Sequence, residues 1–301
     1  MTTLTSLGFI GGGQMAEALI RGISEAHLLP ADKILLIEPT QKRRDFLLAQ
    51  YQVQSVPTPQ ELCAQCEVLI AAVKPQMAEP ILKEYASFLD DHHLLISIMA
   101  GVTLETLGDF VGNSARLIRA MPNTPALVLT GATAFSPDAS ATLSDCQIAM
   151  TLFQAVGSAL QVPEQMLDAV TGLSGSGPGY VFTFLEALID GGVLAGLPRP
   201  GAEQLAIQTL LGSAIMALET KEHPAVLKAR VTSPGGTTIA GIHALEQGGF
   251  RGLVMDAVQK AENLTKTNTY TEVTPKLRAA ILGRYAEGTP WAARDEYDDR
   301  V

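Results

Sequence analysis

Short apolar runs and amphipathic stretches alternate through the first half of the chain, and long apolar helical patterns replace them in the second. Leu4–Ile10 reads as a strand leading into a helix from Gln14, and Lys33–Glu38 as a second strand followed by a helix over Gln41–Gln50. Val68–Val73 and Leu94–Met99 are continuous apolar runs, the pattern of strands buried on both faces. Arg116–Ala120 and Ala132–Ser136 read as further strands, and Ser140–Val156 as a helix that closes the series. Strands alternating with helices predict parallel strands joined by βαβ crossovers. Beyond Pro163 the strand pattern stops. Tyr180–Leu194 and Ala202–Leu218 are apolar almost all round, separated by Gly196-Leu-Pro198-Arg-Pro200-Gly201 as a helix stop and restart. Helices with so little polar face belong in a core or an interface. The expected organisation is an α/β, doubly wound Rossmann-type domain over 1–162, an all-α domain over 163–285 and a loose charged tail over 286–301.

Composition narrows the picture. A chain of 301 residues is about two typical domains long. Its charged fraction of 17% is low against roughly 25% for soluble proteins, so some helix surface is expected to be buried between subunits. The formal net charge of −10, with no basic run longer than Lys42-Arg43-Arg44, argues against a nucleic-acid footprint. An anionic ligand must therefore be held by local dipoles and a few placed cations. The first residues, Met1 to Leu7, lack the basic flank and apolar core of a signal peptide, and the richest helices are interrupted by Glu186, Asp190, Gln204 and Gln208. No membrane span is expected, and the reading is cytoplasmic. Cys63-Ala-Gln-Cys66 has redox-motif spacing but precedes a strand and lacks two further ligands for zinc, so no metal site is expected. His92 and His93 read as solvated loop residues.

The sharpest local signal is Gly8-Phe-Ile-Gly11-Gly-Gly13-Gln-Met-Ala16, which ends a strand and opens a helix. This is the setting of the G-x-G-x-x-G/A dinucleotide fingerprint. Gly11 makes the tight turn, Gly13 admits the pyrophosphate to the backbone, and Ala16 lets the helix pack closely on the strand. Gln14, Met15 and Ala16 then offer first-turn N–H groups to the anion. After the second strand, Glu38 favours the unphosphorylated ribose of NAD, while Thr40 with Lys42, Arg43 and Arg44 favours the 2′-phosphate of NADP. Both readings stay open. Ala72, Val73, Lys74 and Pro75 end the apolar run that begins at Val68, and Gly101 follows the next strand, both where ligands meet an open parallel sheet.

The blocks Gly8-Phe-Ile-Gly11, Val73-Lys74-Pro75, Arg119-Ala-Met-Pro-Asn-Thr-Pro125, Ser174-Gly-Ser-Gly-Pro178 and Val231-Thr-Ser-Pro-Gly-Gly-Thr-Thr238 occur in this order. The series resembles the pyrroline-5-carboxylate reductase family, from residue 7 to about 268. The resemblance implies reduction of 1-pyrroline-5-carboxylate to L-proline, the last step of proline biosynthesis, with NADPH or NADH as donor. It further implies a helical second domain that exchanges helices in a homodimer, which in many members assembles into a decamer. Gly179 and Ala229 depart from the family pattern, where Ala and Asp are usual, and neither supplies chemistry.

The residues of the second site read independently of the likeness. Ser233-Pro-Gly235-Gly236-Thr237-Thr238 precedes the helical run from Ile239, and such a Ser/Gly/Thr turn presents N–H groups and hydroxyls to a carboxylate. A cyclic imine accepts hydride readily once protonated, so placement is the main requirement. Thr238 is the family's hydrogen-bond partner for the ring nitrogen, a role of orientation. Ser174 and Ser176 are expected near the substrate pocket, and their glycine-rich setting equally suits a helix start. A β-hydroxyacid dehydrogenase would carry a lysine on the helix after the Ser/Gly segment, and Tyr180–Asp190 has none. A non-catalytic NADP sensor would have no use for the intact 231–238 block.

Overall fold

The computed structural model describes residues 4–112 and 115–266. The end of the expected helical domain after 266 and the expected tail lie outside the described residues. The described residues divide into two compact units: those up to Gly175 with 261–266, and Ser176–Lys260.

The first unit is a doubly wound α/β domain. Its strands are β1 (Leu7–Ile10), β2 (Ile34–Ile37), β3 (Gln54–Ser55), β4 (Val68–Ala71), β5 (Leu94–Ser97), β6 (Arg116–Met121), β7 (Gly131–Pro137) and β8 (Gly157–Gln161). The intervening helices are α1 (Gln14–Glu25), α2 (Gln41–Tyr51), α3 (Pro59–Gln65), α4 (Ala78–Tyr85), α5 (Leu104–Val111), α6 (Leu143–Gln154) and α7 (Leu167–Val170). The sheet order is β3-β2-β1-β4-β5-β6-β7-β8. Strand residues alternate between two cores. Leu7, Phe9, Ile34, Leu36, Val68, Ile70, Leu94 and Ile96 share one with α1 and α6. Ile10, Leu35, Leu69, Ala71 and Leu95 share the other with α3, α4 and α5. A strand apolar on both faces therefore reports a helix layer above and below it.

The expectation of parallel pairing fails at one place. β7 runs antiparallel to β6, with Arg119 opposite Ser136. Only a short turn at Thr124–Val128 joins them, with no crossover helix, and so short a link cannot carry the chain back for parallel pairing. β8 then pairs parallel with β7 after α6. That helix starts at a capping box in which the Thr142 hydroxyl accepts the Asp145 N–H and the Asp145 carboxylate accepts the Thr142 N–H.

Residues 163–175, read as the opening of the helical domain, lie in the same compact unit as the sheet. Arg119 is the physical reason. It is 4% exposed on β6, and its Nη1 and Nη2 donate to Glu164 at 3.3 Å and Asp168 at 3.1 Å. A guanidinium so buried needs carboxylate partners, and they tie α7 to the sheet. His93 also differs from expectation. It is buried, lying between the Asp90 carboxylate at 2.6 Å and the Cys63 carbonyl at 3.0 Å, whereas His92 is exposed. Cys63 and Cys66 are free and buried beside it, and burial pushes their thiols up to about 11 and about 12. Both pack in the core that the sheet shares with α3, α4 and α5.

The second unit is helical: α8 (Gly177–Leu194), α9 (Arg199–Thr220), α10 (Pro224–Arg230), α11 (Thr237–Gln247) and the body of α12 (Phe250–Lys266). α8 and α9 form an antiparallel pair in which Arg199 bonds Asp190 at 2.9 Å. Phe184 meets Phe250 with ring centroids 5.6 Å apart, and the Tyr180 hydroxyl donates to the Ala257 carbonyl. Yet α8, α10 and α11 bury no residue, and α9 buries only Ala202 and Ala206. No helix among the described residues is long and apolar enough to cross a membrane.

Candidate active site

The carboxyl ends of β1, β2, β4 and β5 lie side by side, through the pairs Ile10 with Ile37, Ile10 with Ala71, and Ala71 with Ser97. From β1 the chain proceeds outward to β2 and β3, then returns to place β4 on the other side of β1. This reversal is the switch point at which open parallel sheets bind ligands. The glycine turn sits there.

Gly11 and Gly13 serve different ends. Gly11 has φ +97°, and a Cβ on it would lie 2.8 Å from the Ala72 carbonyl oxygen, so the fold itself requires glycine. Gly13 has ordinary extended backbone, φ −65°, and a Cβ there would meet nothing within 4 Å. Nothing in the protein needs glycine at 13, whereas a bound pyrophosphate would. Gly13 is the N-cap of α1 and makes no side-chain cap, and Gln14, Met15 and Ala16 form the first turn of the helix. Ala16 is fully buried, as the close approach of helix to strand demands. The residues fit a dinucleotide.

Around the turn stand the other expected residues of this half. Thr40 is exposed and caps α2 without a side-chain bond, while its N–H donates to Glu38. The Ala72 N–H donates to the Ile10 carbonyl, which places Val73, Lys74 and Pro75 at the mouth of β4, with Lys74 exposed. Gly101, φ +74°, turns the chain after β5.

The substrate-side residues belong to the second unit. Ser233 and Gly236 close a tight turn through Gly236 N–H to the Ser233 carbonyl at 3.0 Å, with Gly235 at φ +66°. α11 then begins at Thr237, with Gly236 as its N-cap and no side-chain cap. Thr238 is exposed in the single chain, one residue into the first turn. Ser176 precedes α8, again without a side-chain cap bond. The structure thus brings Gly11 to Ala16 together with Thr40, Ala72 to Pro75 and Gly101, and separately gathers Ser233, Gly235, Gly236, Thr237 and Thr238.

Two features went unread in the sequence. One is the anchoring by the 119–125 block: Asn123 Nδ2 donates to the Ser174 carbonyl at 3.0 Å while its Oδ1 accepts the Ala132 N–H at 2.8 Å. Glu164 also accepts the Leu104 N–H at 2.7 Å, so one carboxylate joins α5, β6 and the 164–168 segment. An arginine inside the apolar strand Leu117-Ile-Arg-Ala120 was the available signal. The other is a cavity of about 390 Å³ lined by Ile37, Glu38, Pro39, Arg44, Val56 and Pro57 among others, next to the ribose end of the turn.

Comparison with known proteins agrees with this architecture. Residues 164–267 match the model for pyrroline-5-carboxylate reductase dimerisation, and residues 6–101 match the model described as NADP oxidoreductase coenzyme F420-dependent. The pyrroline-5-carboxylate reductase of Synechocystis sp. is 48% identical over 255 residues, covering 85% of this chain and 95% of that protein. The chain belongs to the pyrroline-5-carboxylate reductase family. Two solved members superpose closely. The enzyme from Coxiella burnetii has a TM-score of 0.83 and 34% identity, covering 88% of this chain and 98% of its own. The enzyme from Plasmodium falciparum, solved with NADP bound, has a TM-score of 0.80 and 32% identity, covering 89% and 99%. Family membership also accounts for α8 and α9. The matched dimerisation region contains them, and their exposed Phe182, Leu205 and Leu218 are the kind of surface a second subunit covers.

Proposed function

We propose that the chain reduces 1-pyrroline-5-carboxylate to L-proline with NADPH or NADH. The observation that carries this reading is the 48% identity to a pyrroline-5-carboxylate reductase across 95% of that protein. When bound, the reduced nicotinamide supplies a hydride to the C=N carbon. Gly11, Gly13 and the first turn Gln14, Met15 and Ala16 hold the pyrophosphate, with Thr40 at the adenosine ribose. Ala72, Val73, Lys74, Pro75 and Gly101 line the path toward the nicotinamide half. Ser233, Gly235, Gly236 and Thr237 receive the substrate carboxylate on the open first turn of α11, with Ser176 alongside.

Thr238 is assigned to the ring nitrogen. A threonine hydroxyl is too weak an acid to drive the reaction alone, so its task is to orient the imine and steady the nitrogen as it gains its proton. Most of the rate then comes from holding the two reactants together in a site closed to water. The enzyme is proposed to work as a homodimer, with a decamer as the larger assembly, in the cytoplasm. No nucleic acid or membrane takes part.

The test follows the hydride. With NADH or NADPH deuterated at the transferred position, deuterium should appear in L-proline on the ring carbon that was the C=N carbon. Proline without deuterium, or no proline from well-folded protein, would remove this reading.

A further inference from the structure

Glu38, directly after β2, has its carboxylate fixed at both oxygens. The Gly12 N–H donates to Oε2 and the Thr40 N–H to Oε1, each at 2.9 Å. Two backbone donors hold the group against the glycine turn. Two of the neighbouring cations, Arg43 and Arg44, make bonds within the protein, while Lys42 is exposed. Arg43 donates from Nε to the Gly12 carbonyl and from Nη2 to the Gly13 carbonyl and the Glu17 carboxylate, and it lies over the Phe46 ring at 5.0 Å. Arg44 donates from Nη1 to the Glu38 and Pro39 carbonyls and from Nη2 to Gln41. Both arginines hold protein partners, and Arg44 lines the adjoining cavity together with Glu38. The adjoining cavity is walled by Ile37, Pro39, Val56 and Pro57, and its 390 Å³ falls in the range that takes a small planar ligand.

We infer that Glu38 selects the dinucleotide at the ribose 2′ position, so that this chain takes NADH in preference to NADPH. A 2′-hydroxyl donates to the fixed carboxylate. A 2′-phosphate, carrying close to two negative charges, is set against that carboxylate and recruits Arg43 or Arg44 only by breaking bonds they already make. The inference deepens the reductase reading and rests on it for the identity of the cofactor.

The deciding experiment is direct titration of the full-length protein with NADH and with NADPH by calorimetry, alongside kcat/KM for each. Wild type is expected to bind NADH at least about tenfold more tightly, since like charges a few ångströms apart at a protein surface cost about that much or more. In Glu38→Gln, which keeps the shape and loses the charge, the preference should fall to near parity through tighter NADPH binding. Glu38→Ser is the second variant should Glu38→Gln fold poorly, with the same expectation. Tighter binding of NADPH by wild type, or a ratio unchanged in both folded variants, would overturn the role of Glu38. Binding of neither dinucleotide would overturn both readings. Selective binding of NADH without turnover of the imine would remove the reductase reading and leave the role of Glu38 standing.

Discussion

The sheet unit and the helical unit are both rich in apolar side chains and use them in opposite ways. In the first, Leu7, Phe9, Leu19, Ile70 and Leu94 are fully buried within the one chain, on one or other face of the sheet. In the second, Phe182 is 64% exposed, Leu205 58% and Leu218 76%. The first unit completes its own cores, whereas the second leaves an apolar surface exposed in the single chain, within the region that matches the dimerisation model. The difference teaches where to expect each part of the activity to fail. Cofactor binding is expected to persist in a self-contained fold, and the helices around Thr238 are expected to need assembly.

Charge placed in the apolar helical surface should have the largest effect. Leu211→Glu on α9, where the leucine is 51% exposed in the single chain, would bury an unpaired carboxylate in the dimer. We expect the dimer to weaken on the order of 1,000-fold, as a loss of about 4 kcal/mol implies. Leu143→Glu on α6 of the sheet unit, at a residue 91% exposed, is the control and should leave the assembly unchanged. Sedimentation across a concentration series checks both, and equal behaviour of the two variants would erase the contrast between the units.

Thr238→Val should come next, lowering kcat roughly 10- to 1,000-fold, the usual loss for one placed donor. Valine keeps the branched shape, so the start of α11 should survive. Thr238→Ser retains the hydroxyl and should lose far less. The Michaelis constant for the dinucleotide should hardly move in either variant, because the other unit carries that binding. A valine variant as active as wild type would reduce Thr238 to a residue of the helix start.

Gly13→Val should then weaken dinucleotide binding by roughly 10- to 100-fold or more, the cost of forcing a branched side chain into an occupied contact. Space around Gly13 is open, so the thermal midpoint should stay close to wild type. Gly11→Val is the informative partner: there the Cβ meets the Ala72 carbonyl, and folding itself should suffer. Binding titration and thermal melts separate the two outcomes.

The smallest effect concerns the sealed core. Burial lifts the thiols of Cys63 and Cys66 far above neutral pH, so neither should react with a thiol reagent in the folded protein near neutrality. Cys146, only partly covered, should react first. Rapid labelling of Cys63 or Cys66, read by peptide mapping, would mean that the first unit opens more readily than its packing suggests.

Much of this was legible in the sequence, and the exceptions have physical causes. The strands with helices on both faces announce themselves as apolar runs, and the glycine turn is plain because Gly11 and Gly13 follow such a run directly. β3, at Gln54–Ser55, and β8, at Gly157–Gln161, were not legible because edge strands exposed to water carry no apolar run. The antiparallel turn of β7 depends on the length of a link, not on its residue pattern. Arg119 and Asn123 were visible as part of a block, but their work is done by partners 45 to 51 positions away in sequence: Arg119 reaches Glu164 and Asp168, and Asn123 reaches Ser174. The choice between the ribose hydroxyl and its phosphate was ambiguous for a like reason. Glu38, Arg43 and Arg44 are all present, and only the bonds they make distinguish a fixed acceptor from a waiting clamp.

The most direct test of the central claim is the near-ultraviolet absorbance of reduced nicotinamide, followed after mixing the purified protein with 1-pyrroline-5-carboxylate. The absorbance should fall at a rate proportional to enzyme and to substrate, with L-proline formed in equal amount to the dinucleotide oxidised. Well-folded dimer that leaves the absorbance unchanged with both NADH and NADPH would contradict it.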